Sequence, residues 1–152
     1  MTLEMDVKAF GVFTNWLYTK TIVDSSGGTP NVDVLANLWI FAERILHPEL
    51  QNEVMNHLHD RLYDPCLVDR RAFGTFCNIA DRHANGESCL VDLAADVLSW
   101  LPPGRMREKH MHMIPLSMLA KSWRSMKQEQ IFDAKTKSKA KLYHVKVPEA
   151  KK

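Results

Sequence analysis

Apolar residues recur every three or four positions along most of the chain, which is the spacing of one face of an α-helix. Turn-forming residues divide this pattern into six blocks of helical length; the dividing segments are 24–30, 47–48, 64–65, 85–86, 102–104 and Pro115. No segment alternates apolar and polar residues over five positions while also being rich in β-branched residues. The pattern therefore predicts an all-α fold of about six short amphipathic helices.

The first block is predicted to form a helix over residues 7–19. Asp6 precedes it, and a carboxylate at that position can cap the unpaired N–H groups of the first turn. The apolar stripe predicted to face the core consists of Phe10, Phe13 and Leu17, and the predicted anchors onto the next two helices are Trp16 and Tyr18.

Residues 34–58 are predicted to form a helical hairpin, with its first helix over about 33–46. The break is expected at His47-Pro48, because proline interrupts an existing helix but fits the first turn of a new one. The residues predicted to form the core of this pair are Leu35, Leu38, Trp39, Leu50, Val54 and Leu58.

Three more helices are predicted in the second half of the chain. One follows Asp64-Pro65, one is capped by Ser88, and one covers about 115–132. Their main apolar positions are Phe73, Phe76 and Ala80; Leu90, Leu93, Ala94, Val97 and Leu98; and Leu116, Leu119, Ala120, Trp123 and Met126. The aromatic residues and the methionines Met106, Met111, Met113 and Met118 are interpreted mainly as packing residues.

Length and cysteine content favour one domain in a reducing compartment. A chain of 152 residues can bury a core without covalent staples, and its three cysteines form no CxxC pair. No signal peptide and no membrane-spanning run is visible, so a cytoplasmic or nuclear location is expected.

Charge separates the chain into two parts that the net charge of +2 conceals. Residues 133–152 carry +5 and residues 1–132 carry −3. The first 132 residues are therefore predicted to form the helical domain, and the last twenty a basic, flexible tail that is dispensable for folding. Lysines of the tail that could contact nucleic-acid phosphates are Lys135, Lys137, Lys139 and Lys141.

Signals for metal binding and catalysis are sparse. His57 and His59 are two apart on a helix and point away from each other, whereas His110 and His112 could share a metal only in an extended segment. A third candidate metal set, which could converge across a loop, is Cys77, His83 and Cys89, and the candidate acid–base pair is Asp92 and Asp96. Buried thiols and a solvated acidic face explain the same residues, so no cofactor and no catalytic activity are expected.

Residues 6–58 resemble the carboxy-terminal half of a fungal-type BTB/POZ domain. In that family an Asp-x-x-x-Phe start leads to Trp-Leu-Tyr-Thr-Gly, then to an Ala-acidic-basic helix, and then to Pro-Glu-(Leu/Phe)-Gln-Asn-x-(Val/Met)-Met. The matching residues here are Phe10, Trp16, Leu17, Tyr18, Thr19, Ala42, Glu43, Arg44, Pro48, Glu49, Leu50, Gln51, Asn52, Val54 and Met55. Lys20 stands where the family prefers glycine.

The resemblance implies a truncated domain, because BTB/POZ domains begin with a strand-rich half that does not precede Met1 here. Helices left by such a loss must self-associate or be covered by later helices, for which the expected residues are Leu93, Val97, Leu119 and Trp123. The function expected is a non-catalytic protein–protein interaction module with unidentified protein partners or self-association. The alternatives are a small helical nucleic-acid-binding protein that uses the lysine tail and a metal-dependent enzyme that uses histidine and cysteine.

Overall fold

A computed structural model describes residues 6–64, 70–83, 88–100, 112–129 and 143–147. These residues form six helices: α1 (Val7–Thr19), α2 (Val32–Arg44), α3 (Pro48–Tyr63), α4 (Arg70–Arg82), α5 (Cys89–Trp100) and α6 (Leu116–Glu129). Because 74% of the described residues are helical and none of them lies in a strand, the predicted all-α class is confirmed. No helix within the described ranges is long and apolar enough to cross a membrane.

Helix α1 begins and ends at the residues that the sequence indicates. The carboxylate of Asp6 accepts hydrogen bonds from the backbone N–H groups of Lys8 and Ala9, at 2.9 and 3.0 Å. At the other end Lys20 is left-handed, with φ of 56°, and its N–H donates to the carbonyl of Trp16 at 2.8 Å. The turn therefore keeps the geometry that favours glycine although a lysine occupies it.

The predicted break at His47-Pro48 is confirmed: α2 ends at Arg44 and α3 begins at Pro48. The turn between them is a Schellman motif, in which the N–H of His47 donates to Ala42 at 2.8 Å and that of Leu46 donates to Glu43 at 3.0 Å. Leu46 is left-handed, with φ of 55°, and its side chain is 86% exposed. The ring of His47 then caps α3 by accepting a hydrogen bond from the N–H of Leu50.

Helix α2 lies at the centre of the fold, in contact with α1, α3 and α4, while α5 packs on α4, α3 and α6. The burial predicted for the core of the α2–α3 hairpin is confirmed at every position: Leu35, Leu38, Trp39, Leu50, Val54 and Leu58 are all buried. The predicted apolar positions of α4 and α5 are buried as well: Phe73, Phe76, Ala80, Leu90, Leu93, Ala94, Val97 and Leu98.

The predicted buried stripe of α1 is wrong. The residues that α1 buries are Ala9, Val12 and Trp16, with Phe13 half-buried, whereas Phe10, Leu17 and Tyr18 are exposed. Phe13 meets the ring of Phe41 edge-on, with the ring centroids 4.8 Å apart. Because α1 carries apolar residues on both sides, the side with Ala9, Val12 and Trp16 can pack on the body while the other side stays exposed. Trp16 anchors α1 as predicted, and Tyr18 does not.

Helix α6 is joined to the body by its entry turn. Asn78 of α4 donates to the carbonyl of Met113 at 2.8 Å, and a side chain on Gly74 would meet the Cβ of Met113 at 3.1 Å. Met118 of α6 is buried and Leu119 is partly buried, but Trp123 is 63% exposed. Of the four residues expected to cover the earlier helices, Leu93 and Val97 are buried as well, so the prediction is wrong for Trp123, which stays largely exposed on α6.

Candidate interaction surfaces

An apolar surface covers the side of α1 opposite to the core; we call it the α1 outer face. Its members and their exposed fractions are Val7 (84%), Phe10 (54%), Leu17 (47%) and Tyr18 (85%). Thr14 lies in the middle of this face, and its hydroxyl already donates to the carbonyl of Phe10 at 2.9 Å. Side chains of this size are usually buried, so a helix that points four of them outward makes this face a candidate docking surface.

The spacing of the α1 outer face matches the seam between two packed helices. Residues 7, 10, 14 and 17 are separated by three, four and three positions, which is the a/d pattern of a coiled coil. Gly11 lies beside Phe10, and no atom lies within 4 Å of the place where its Cβ would be. A second helix can therefore approach the backbone of α1 closely at this point.

A second surface already holds a segment of the chain. Residues 143–147 pack against α3 and α5 at a place that we call the α3–α5 site, formed by Asn52 and Asn56 of α3 and Asp96 of α5. The amide of Asn52 donates to the carbonyl of Val145 at 3.0 Å and accepts from its N–H at 2.8 Å.

Side chains of the segment add to this contact. Tyr143 is buried in the core cluster, and its hydroxyl donates to the carboxylate of Asp96. The Nε2 atom of His144 lies 2.8 Å from the amide oxygen of Asn56. In these five residues the structure therefore differs from the expected flexible tail, because main-chain contacts to Asn52 leave no trace in hydrophobic periodicity. The tail lysines Lys135, Lys137, Lys139 and Lys141 lie outside the described residues.

The hairpin residues that resemble the BTB/POZ motif mostly support the hairpin itself. Pro48 occupies the first turn of α3, and Glu49 follows it at the positive end of the helix. Ala42, Leu50 and Gln51 are buried. Asn52 alone among the polar motif residues of this stretch contacts the segment 143–147, which sequence reasoning did not foresee.

Two of the candidate metal residues form other contacts. His83 donates to Glu43 at 2.6 Å, and the ring of His59 stacks on Tyr63 with centroids 4.5 Å apart. Burial, and secondarily the Asp81 carboxylate, raises the pKa of Cys77 to about 12, while burial and then Asp92 raise the pKa of Cys89. Both thiols are therefore protonated at neutral pH. Across the described residues no three histidine, cysteine or acidic side chains form a group that could hold a metal ion, and His110 lies outside those residues.

The two aspartates of the candidate acid–base pair contact different parts of the chain. Asp92 forms an ion pair with Lys121 of α6 at 2.6 Å, and Asp96 accepts the hydroxyl of Tyr143. The two carboxylates thus bind separate elements to α5.

Two clefts open between the helices. One of about 540 Å³ lies between α2 and α4, and its polar lining includes Asp6, Arg44 and His83. The other, of about 580 Å³, separates α1 from the loop before α2 and is lined by Asn15 and Asp24 among others.

Comparison of the chain with protein-family models, with curated protein sequences and with solved structures finds no match in any of the three.

Proposed function

We propose that this chain is a non-catalytic protein-interaction module and that the α1 outer face docks on the same face of a second copy. The observation that carries the proposal is the outward a/d stripe of α1, with Val7, Phe10 and Leu17 exposed on a helix whose other side is already buried. The resemblance of residues 6–58 to part of a BTB/POZ domain supports the same class of function.

The charges that flank α1 favour a second copy of the chain as the partner. Asp6 stands just before its start and Lys20 just after its end, so the side chains that flank α1 carry opposite charges. An antiparallel pair of α1 helices places each Asp6 end beside a Lys20 end, and it also pairs opposite ends of the two helix dipoles. A contact of this kind is isologous, so the same residues serve both copies and the assembly closes at two.

The expected association is weak. Helix α1 has 13 residues, which corresponds to a length of about 20 Å. A face of that size buries less than the roughly 800 Å² per partner of a standard stable interface. The dimer should therefore form reversibly, with a dissociation constant in the micromolar range or above.

The test is sedimentation velocity at concentrations from low micromolar to near-millimolar. We expect the wild type to shift towards a dimer and Leu17→Glu to remain monomeric. Leu116→Glu is the matched control, since Leu116 is also an exposed leucine but lies on α6; it should associate like the wild type. Circular dichroism verifies that all three chains are folded.

Added salt and a charge substitution test the antiparallel orientation of the two α1 helices. In the antiparallel pair, added salt and Lys20→Glu both weaken association, because each affects the attraction between Asp6 and Lys20. Association that strengthens with salt contradicts the antiparallel arrangement. A wild type that stays monomeric at near-millimolar concentration contradicts self-docking itself.

A further inference from the structure

We infer that the α3–α5 site is a binding site for a tyrosine-bearing peptide that is extended two residues after its tyrosine, and that the chain's own residues 143–147 occupy it as a resident ligand. The inference goes beyond the proposed function, because no residue of the site lies on α1.

The main chain is recognised by one side chain. Asn52 bonds both the N–H and the carbonyl of Val145, at 2.8 and 3.0 Å. These two groups point to the same side of a residue only when the backbone is extended, as at the edge of a β-sheet. The amide of Asn52 therefore pairs with this residue as a neighbouring β-strand would. Any residue except proline can form the same two hydrogen bonds at this position.

The tyrosine supplies the selectivity. Tyr143 lies two residues before Val145 and is only 5% exposed, and its hydroxyl donates to Asp96. A phenol fits this place because it combines an apolar ring with a donor for the carboxylate. Phenylalanine lacks the donor, and phosphotyrosine brings negative charge against Asp96, so both should bind more weakly.

The site is built without its occupant. Asn52 and Asn56 lie one turn apart on α3, and Asp96 lies on α5, so all three are held by helices of the body. Thirteen residues, 130–142, separate the end of α6 at Glu129 from Tyr143. The occupant is thus covalently attached, and it competes with any free peptide as an intramolecular ligand.

The experiment uses the full chain with a weakened resident segment. Tyr143→Ala removes the buried ring and the Asp96 bond while leaving Asn52, Asn56 and Asp96 in place. The probe is a fluorescein-labelled peptide with the sequence of residues 143–147, and binding is measured by anisotropy. We expect Tyr143→Ala to bind the probe at least tenfold more tightly than the wild type does, since the wild type fills its own site.

Variants of both partners test the specific contacts. Adding Asn52→Ala to Tyr143→Ala should reduce probe binding at least tenfold, as should replacing the tyrosine of the probe by phenylalanine or phosphotyrosine. Adding Leu17→Glu should leave probe binding unchanged, which separates this site from the α1 outer face. If Tyr143→Ala does not fold, Val145→Pro releases the segment in its place, because it removes the N–H that Asn52 accepts.

Three outcomes overturn the inference. They are equal probe binding with and without Asn52→Ala, equal binding of the tyrosine and phosphotyrosine probes, and no probe binding by a folded chain carrying either releasing substitution. Any of these results leaves the contact of residues 143–147 as a purely structural one.

Discussion

The indole Nε1 of Trp16 donates a hydrogen bond of 2.7 Å to the carboxylate of Glu53, which connects the last turn of α1 to α3. The same ring meets the imidazole of His47 edge-on, with the ring centroids 5.1 Å apart. One side chain thus contacts both the turn between α2 and α3 and the helix that follows it. Three elements of the fold depend on its position.

Trp16→Phe should therefore cost about 2–4 kcal/mol of unfolding free energy, because it removes a donor to a charged acceptor together with buried ring area. Glu53→Gln keeps an acceptor and should cost about 1 kcal/mol. Urea denaturation measures both values. Asp60→Asn removes a carboxylate that is 84% exposed on the same helix; it is the control and should change stability by less than about 0.5 kcal/mol.

Leu46→Gly should stabilise the fold by roughly 0.5–1 kcal/mol. Leu46 is left-handed and exposed, so glycine relieves the strain of a left-handed side-chain-bearing residue and loses little packing. Lys20→Gly should gain less, because the Nζ of Lys20 lies 4.1 Å from the centroid of the Trp16 ring and that cation–π contact is lost. Thermal denaturation ranks the two variants, and the reverse order contradicts this explanation.

The two helical glycines should respond to alanine in opposite ways. At Gly11 of α1 nothing lies within 4 Å of the new methyl group, so Gly11→Ala should gain up to about 1 kcal/mol from helix propensity. At Gly74 of α4 the methyl group meets the Cβ of Met113 at 3.1 Å, which should outweigh that gain and leave a net loss of about 1 kcal/mol. The same Gly11→Ala variant should weaken the α1 association, since it obstructs the close approach.

Cys77 should resist thiol reagents in the folded chain at every pH below about 10. Burial raises its pKa to about 12, so the folded protein exposes almost no thiolate there. Because the folded pKa lies above the unfolded value near 9, the contribution of this group to stability is fully present below pH 9 and is lost as the pH rises from about 9 to about 12. Stability should therefore fall as the pH rises above about 9. Mass spectrometry of Cys77 peptides after iodoacetamide labelling, with and without urea, checks the prediction.

Removing residues 133–152 should destabilise the body by about 1.5–3 kcal/mol, since Tyr143 is buried. For a chain of this size the midpoint of thermal unfolding should fall by several degrees. Lys146→Ala changes an exposed residue of the same segment and is the control; it should have almost no effect. An unchanged midpoint after the deletion restores the expectation, drawn from the sequence alone, that the tail is dispensable.

Helix boundaries and the hairpin core could be predicted because local chemistry determines them. Pro48 cannot continue α2. The apolar residues of α2 and α3 recur at helical spacing on the buried side of each helix, as Leu35, Leu38, Leu50 and Val54 show. The orientation of α1 could not be predicted in this way, because the helix is apolar on two sides. Burial there depends on which side fits α2, and fit is a property of the packed pair.

The contacts of the α3–α5 site could not be predicted from the sequence for a related reason. Asn52 was identified through a family resemblance, but its observed contact is to the main chain of Val145, which any residue could supply. Asp96 was considered as part of an acidic pair, and its observed contact is the hydroxyl of Tyr143. Contacts over such separations depend on the packing of α3 and α5, which no local pattern encodes.

Asp96 is synthesised before Tyr143, so the contact between them can form only late in the synthesis of the chain. The two residues are 47 positions apart, and Asp96 leaves the peptidyl-transferase centre first. At about 5–20 residues per second, Tyr143 follows after about 2–9 s. During that interval a nascent chain has made every residue of the α3–α5 site but not the segment that covers it. Another ligand therefore meets an unoccupied site only if α3 and α5 leave the ribosome and pack before Tyr143 does.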